Sequence, residues 1–276
     1  MRIAVVGLGI MGASIARALK AKTEYTVDGW NRNHGVVEYA LSKNYVDGEV
    51  SDFATYDVVF IALPPEATME FIETHNFKDD GIVADVCGMK KAIEKAVYAD
   101  NPNFRYVGTH PMAGKETSGI KSSSETLFKG ANVIITKARK TDEDAINTIA
   151  KLYRKMGCAK ILLCPAEYHD AKIAYTSQLA HLVSNAYLKS KTVEGCSGFT
   201  GGSFQDMTRV AGVDEEIWTE LFFMNEKNLS KELETLIANL NEYLTILKTG
   251  NEEQMKELLR AGGDVRRSLN CYKDTE

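Results

Sequence analysis

Arg2-Ile3-Ala4-Val5-Val6-Gly7-Leu8-Gly9-Ile10-Met11-Gly12 stands directly behind the first methionine, and its reading decides the fold. Residues 2–6 are a short apolar run rich in β-branched side chains and stopped by a glycine, which predicts a buried strand. From Ile10 to Lys20 the apolar positions Ile15, Ala16 and Leu19 share one helical face, which predicts a helix. Gly7, Gly9 and Gly12 therefore form a GxGxxG pattern between a strand and a helix, the context in which that pattern has a mechanism. The first glycine permits the tight turn and the second lets the backbone approach a pyrophosphate. The third allows close helix–sheet packing, while the helix N-terminus, begun by Ile10 and Met11, faces the anion. Arg2 and the apolar run also imitate a secretory signal, but three glycines weaken such a helix.

Working outward, strand character returns at 25–30, 57–63, 82–86, 104–109, 132–136 and 159–163, separated by helical stretches at 34–43, 66–74, 89–99 and 142–156. Runs apolar on both faces and alternating with helices predict a mainly parallel, doubly wound α/β sheet covered on both sides. Beyond Pro165 the pattern is helical only: 166–191, 214–248 and 252–268. The expected division is thus a Rossmann-type domain over 1–164 and an all-helical domain over 165–276, with a polar tail at 271–276.

The 276 residues carry 33 Lys+Arg against 38 Asp+Glu, a net charge of −5, which argues against coating duplex nucleic acid. With 44% hydrophobic and 26% charged residues the chain is globular, and no apolar run reaches the length of a membrane span. The five cysteines are scattered, without metal-ligand spacing, and read as reduced thiols of a cytoplasmic protein with no metal site.

The second strand selects the dinucleotide. An NAD site ends this strand with a carboxylate on the ribose 2′-OH. Here the chain reads Asp28-Gly29-Trp30-Asn31-Arg32-Asn33, and strand alternation with the turn at 31–33 puts Asn31 at the tip rather than Asp28. A neutral Asn31 lifts the repulsion on a 2′-phosphate and Arg32 offers it a planar cation, which favours NADP while leaving NAD possible. Leu63 and Pro64 after the 57–63 strand, and Cys87 after 82–86, border the same crevice at the carboxyl ends of the strands.

Gly108-Thr109-His110-Pro111-Met112-Ala113-Gly114 ends another strand, so His110 is placed where a general base could act. A lone histidine is more often structural. Farther along, His181 follows Ser177 by four residues on the long helix, and Gly201-Gly202-Ser203-Phe204-Gln205-Asp206-Met207-Thr208-Arg209 presents Arg209, whose plainer role is a helix cap or surface ion pair.

Taken in order, GTHPMAG at 108–114 with Ser118-Gly119, SQLAH at 177–181 and GGSFQDMTR at 201–209 resemble the prephenate dehydrogenase family, which includes arogenate and cyclohexadienyl dehydrogenases. The resemblance spans nearly the whole chain. It implies oxidative decarboxylation of prephenate to 4-hydroxyphenylpyruvate, or of arogenate to tyrosine, with hydride transfer to NAD(P) in tyrosine biosynthesis. It further implies that His110 is catalytic, that His181, Ser177, Gln205 and Glu116 line the substrate pocket, and that Arg209 binds a substrate carboxylate. The helical domain is implied to bind substrate and to form a homodimer, and tyrosine feedback, if any, is expected to act at the active site because no regulatory domain follows residue 270.

Some positions depart from the family pattern. Gly88, in Asp85-Val86-Cys87-Gly88-Met89-Lys90, stands where many members carry an assisting Ser. Gln178 replaces a second His, Ser203 a third glycine and Gln205 a base. A β-hydroxyacid dehydrogenase would share the glycines and the Asn31-Arg32 pair but needs a central lysine on the first interdomain helix, where Lys172, Lys189 and Lys191 lie toward the ends. A non-catalytic NADP sensor would keep the glycines and not need His110.

Overall fold

In the computed structural model, residues 1–269 are described except Asp100, Glu116 and Arg139. The chain alternates β1 (Arg2–Val6), α1 (Ile10–Lys22), β2 (Thr26–Trp30), α2 (His34–Ser42), β3 (Gly48–Glu49), β4 (Val58–Ile61), α3 (Pro65–Thr74), β5 (Ile82–Asp85), α4 (Lys91–Val97), β6 (Arg105–Pro111), β7 (Asn132–Thr136), α5 (Glu143–Met156) and β8 (Lys160–Cys164). The eight strands form one sheet in the order β3-β2-β1-β4-β5-β6-β7-β8. Every pairing is parallel except β6 with β7. All four residues of β4 and of β5 are buried, as strands covered on both faces must be. One face packs Ile3, Val5, Val58, Phe60 and Ala84 against α1 and α5, and the other packs Ala4, Val6, Val59 and Ile61 against Phe53, Phe71 and Phe77.

The order reverses between β1 and β4, so the loops after their carboxyl ends diverge and open a crevice at that switch point. After β8 the chain is helical: α6 (Ala166–Ile173), a π-helical turn at Ala174–Gln178, α7 (Leu179–Tyr187), α8 (Gly202–Thr208), α9 (Glu215–Met224), α10 (Glu226–Thr249) and α11 (Glu252–Ser268). Contacts divide the molecule into two compact units, Met1–Glu226 and the segment from Lys227 onward. The second unit comprises nearly all of α10 and then α11, on which Leu240, Leu244, Leu247, Leu259 and Val265 are exposed. No described helix is long and apolar enough to cross a membrane.

Among the differences from the expected pattern, three bear on the architecture. The 166–191 stretch is interrupted by the π turn and ends at Tyr187. A two-residue strand, β3, is too short to show a period. Finally, β7 runs against β6, a direction that alternation of apolar runs does not encode.

Candidate active site

The glycine-rich loop has the shape a dinucleotide requires. Gly7 adopts φ +85°, and its N–H bonds the Trp30 carbonyl at 2.8 Å, tying the turn to β2. A Cβ on Gly12 would lie 2.0 Å from the Gly7 carbonyl oxygen, whereas one on Gly9 would meet nothing within 4 Å. The loop is thus packed below and open above. Gly9 is the N-cap of α1 and has no side chain to bond the first helical N–H groups, among them those of Ile10 and Met11. These donors and the open space above Gly9 suit a pyrophosphate.

At the tip of β2, Asn31 accepts a hydrogen bond from the Leu8 N–H at 3.1 Å and donates to the Asn33 carbonyl at 3.3 Å. Asp28 is buried and turned away, accepting from the Tyr56 hydroxyl at 2.7 Å and facing Arg2 at 3.4 Å. Asn33 caps α2 by accepting from the Gly35 N–H at 3.0 Å, and Arg32 is exposed. Across the crevice, the Leu63 carbonyl accepts from the Thr68 hydroxyl at 3.1 Å and from the Cys87 thiol at 3.3 Å. The Cys87 side chain is therefore buried beneath the loop, and burial raises its pKa far above the ordinary thiol value. Pro64 lines a cavity of about 810 Å³ with Glu66, Glu220 and Phe223.

His110, near the end of β6, is half-buried and joined to a relay absent from the sequence reading. Its Nδ1 lies 2.8 Å from His169 Nε2, and His169 Nδ1 lies 2.7 Å from Asp170 Oδ1. The Asp170 carboxylate also accepts the Lys90 and Lys91 N–H groups, each at 3.0 Å, at the start of α4. With Asp170 an acceptor, His169 donates from Nδ1 and accepts at Nε2, so His110 donates from Nδ1. The lone pair of His110 is thereby set on Nε2, which faces the loop at Gly88: a Cβ there would lie 4.0 Å from Nε2 and 3.9 Å from Cε1. Fixing one tautomer through the other ring nitrogen is how an imidazole is made a directional base.

Behind the relay lies a fully buried ion pair. Lys90 Nζ donates to Asp85 Oδ1 and, at 2.7 Å, to the Thr109 carbonyl. Asp85 also accepts from the Tyr106 hydroxyl at 2.6 Å and the Cys87 N–H at 2.8 Å. Among the described residues no buried side-chain N or O lacks a partner. Burial first, then the neighbouring His169 and the Lys90 charge, hold the His110 pKa well below the ordinary 6.5. His110 is therefore a neutral acceptor at pH 7.

The same shift has a stability consequence. Below about pH 6.5 an unfolded chain protonates this imidazole while the folded one does not, so acidification favours unfolding. The contribution is intact above 6.5 and declines as pH falls toward the folded value. Urea midpoints should be lower at pH 5 than at pH 7, and His110→Phe should narrow that difference. An unchanged difference would locate the acid sensitivity elsewhere.

On the helical side, His181 donates from Nδ1 to the Val210 carbonyl at 2.8 Å and packs on Trp218 with ring centroids 3.8 Å apart. Burial first, and then the nearby Arg209 charge, lower its pKa. Arg209 follows α8 directly, with its N–H on the Gln205 carbonyl at 2.9 Å, and both side chains are exposed. Gln178 is buried, donating to the Leu221 carbonyl at 2.7 Å and accepting from Asn225 at 2.7 Å, while Asn225 also holds the Asp170 carbonyl at 2.8 Å. Gln178 thus braces the relay from behind. Ser177 falls inside the π turn, whose widened bonding interrupts the regular four-residue spacing toward His181. Glu116 lies outside the described residues.

Pattern reading missed Asp85, Lys90, His169, Asp170 and Trp218. The available signals were an Asp and a Lys bracketing the loop after an apolar strand, and a His-Asp pair opening a helix; neither is specific until the fold brings them to His110.

A dinucleotide cradle at the switch point, with a tautomer-locked neutral base at the carboxyl end of a nearby strand, defines a nicotinamide-dependent dehydrogenase. The nucleotide-binding domain of prephenate dehydrogenase matches residues 15–173, and the dimerization domain of prephenate dehydrogenase matches residues 165–261. The chain belongs to the prephenate dehydrogenase family. It is 28% identical to a cyclohexadienyl dehydrogenase of Zymomonas mobilis, over 99% of this chain and 97% of that protein. It is similar to the structure of A. aeolicus prephenate dehydrogenase in complex with hydroxyphenyl propionate and NAD+, at a TM-score of 0.86 and 25% identity over 98% of both chains. It also resembles Synechocystis arogenate dehydrogenase, at a TM-score of 0.79 and 26% identity, covering 98% of this chain and 100% of that one.

Proposed function

We propose that this enzyme oxidatively decarboxylates prephenate to 4-hydroxyphenylpyruvate, using NADP in preference to NAD. The observation that carries the reading is the His110–His169–Asp170 relay, which leaves a single acceptor, Nε2, directed at the crevice. Prephenate bears a ring hydroxyl at C4 opposite a carboxylate at C1. His110 Nε2 takes the hydroxyl proton as the C4–H bond breaks, and the relay holds the resulting imidazolium. A bound nicotinamide supplies acceptance of the C4 hydride. As CO2 leaves C1 its bonding pair passes through the ring to the C4 oxygen, which takes the proton back from His110, and the aromatic phenol formed makes the reaction effectively irreversible. Arg209 meets a substrate carboxylate as a charge-assisted pair, with Gln205 one turn before it. His181, its Nδ1–H already committed, offers Nε2 as an acceptor, and Ser177 completes the pocket. In this reading residues 1–164 hold the cofactor, through Gly7, Gly9, Ile10, Met11, Gly12, Asn31, Arg32, Asn33, Leu63, Pro64 and the Cys87 backbone, while 165–276 supply substrate and subunit contacts. The free thiols Cys87, Cys158, Cys164 and Cys196 support a cytoplasmic location.

The test is a cofactor-by-substrate assay following reduced nicotinamide with prephenate or arogenate and NADP or NAD. Turnover of prephenate with NADP is expected to be fastest. No reduction with any pair would overturn the activity, and a preference for arogenate would reassign the substrate.

Arg32→Ala should raise the KM for NADP by roughly 5–30-fold and leave that for NAD nearly unchanged, since an exposed guanidinium–phosphate pair is partly screened. An equal effect on both cofactors would remove Arg32 from phosphate recognition. The exposed leucines of α10 and α11 support a homodimer through the helical segment. Sedimentation at micromolar concentration should give twice the 30.5 kDa chain mass, and a monomer would exclude it.

A further inference from the structure

The turn after β2 carries two carboxylates as well as Arg32. Glu49 follows Gly48 on β3 and pairs in register with Gly29, two residues before Asn31. Glu38 lies one helical turn into α2. Glu49 is bonded to the His34 imidazole, with Nδ1 3.0 Å from Glu49 Oε1, whereas Glu38 Oε1 stands 3.6 Å from Nε2, beyond hydrogen-bond length. His34 is the first residue of α2, immediately behind Asn33, and is exposed.

A cofactor seated on the glycine loop directs its adenosine ribose at the end of β2. A 2′-phosphate arriving there meets the Arg32 cation, but it also meets Glu38 and Glu49, whose charges repel it. Released carboxylates would moreover be good acceptors for a free ribose 2′-hydroxyl. We infer that His34 is a specificity-determining residue of the cofactor site: by hydrogen-bonding Glu49 it keeps that carboxylate from the ribose and lets the turn accept a 2′-phosphate. The inference rests on the NADP preference proposed above. His34 acts here as a positioning residue, through the Glu49 carboxylate it bonds.

The test is calorimetric binding of adenosine 2′,5′-bisphosphate and of adenosine 5′-monophosphate, which differ only in the 2′-phosphate, with KM values for NADP and NAD alongside. His34→Ala should weaken the bisphosphate by roughly 3–10-fold, the scale of exposed, screened charges, and leave the monophosphate unchanged or slightly tighter. The double variant His34→Ala with Glu49→Gln should recover most of that loss, because the carboxylate that His34 had held is then uncharged, while Glu38 is the same in both variants. An unchanged affinity ratio in His34→Ala, equal weakening of both nucleotides, or no recovery in the double variant would overturn the inference. Wild-type protein that binds the monophosphate more tightly would refute the NADP preference instead, and the fall in ratio on removing His34 still decides the role of that residue.

Discussion

His110→Ala should lower kcat by roughly 10²–10⁴-fold, the range for a positioned general base, while cofactor affinity stays within about twofold of wild type. The two effects separate because, in the proposed mechanism, the imidazole meets the substrate hydroxyl while the β1–α1 loop and the tip of β2 hold the dinucleotide. Removing the relay instead of the base should give a smaller loss. In His169→Ala the His110 Nδ1–H loses its acceptor, and the ring is free to populate the tautomer that places a proton on Nε2. A fall of roughly 10–100-fold in kcat is expected, with KM less affected. A wild-type rate in His110→Ala would assign the base elsewhere, and an unaltered rate in His169→Ala would reduce the relay to packing.

Lys90→Met should be the most damaging single change for stability. Both members of the Lys90–Asp85 pair have fully buried side chains. Taking away one partner strands a buried carboxylate, a change that costs about 3–5 kcal/mol. The Tyr106 hydroxyl and Cys87 N–H that remain on Asp85 cannot neutralise it. Chemical denaturation should show a loss of that size in Lys90→Met. Combining it with Asp85→Asn should restore more than half, since no buried charge is then left unpaired. A loss below about 1 kcal/mol in the single variant would mean that water reaches the pair. A surviving Lys90→Met enzyme should also carry a higher acidic limb in its pH–rate profile, because the Lys90 charge helps keep His110 neutral.

The fold was legible where the signals are local. Uninterrupted apolar runs at 57–63 and 82–86 predicted strands buried on both faces, and β4 and β5 are such strands. The 252–268 helix was recovered as α11, Glu252–Ser268, because Asn251 caps it and its apolar period is regular. The turn at Asn31-Arg32-Asn33 set the end of β2 correctly, and Asp28 is buried against the Tyr56 hydroxyl rather than standing at the strand tip. Two residues of β3 and the π turn at 174–178 left no periodic trace, since one is shorter than a period and the other is a single widened turn inside a helix.

What the sequence determined by itself was the alternation of strand and helix, the glycine loop between β1 and α1, and the order of the motifs that mark the family. These follow from spacing along the chain: side chains two or three to four residues apart share a face, and only glycine fits the close approaches of that loop. Tertiary structure decided the chemistry of the site. The nitrogen on which His110 keeps its lone pair depends on His169, 59 residues away, and the grip on Asp170 depends on backbone N–H groups about 80 residues before it. The neutrality of that imidazole depends on burial and on a lysine drawn into the core by Asp85. Tautomer, burial and the pairing of charge are properties of neighbours in space, and no period in a linear sequence records which distant residue becomes a neighbour.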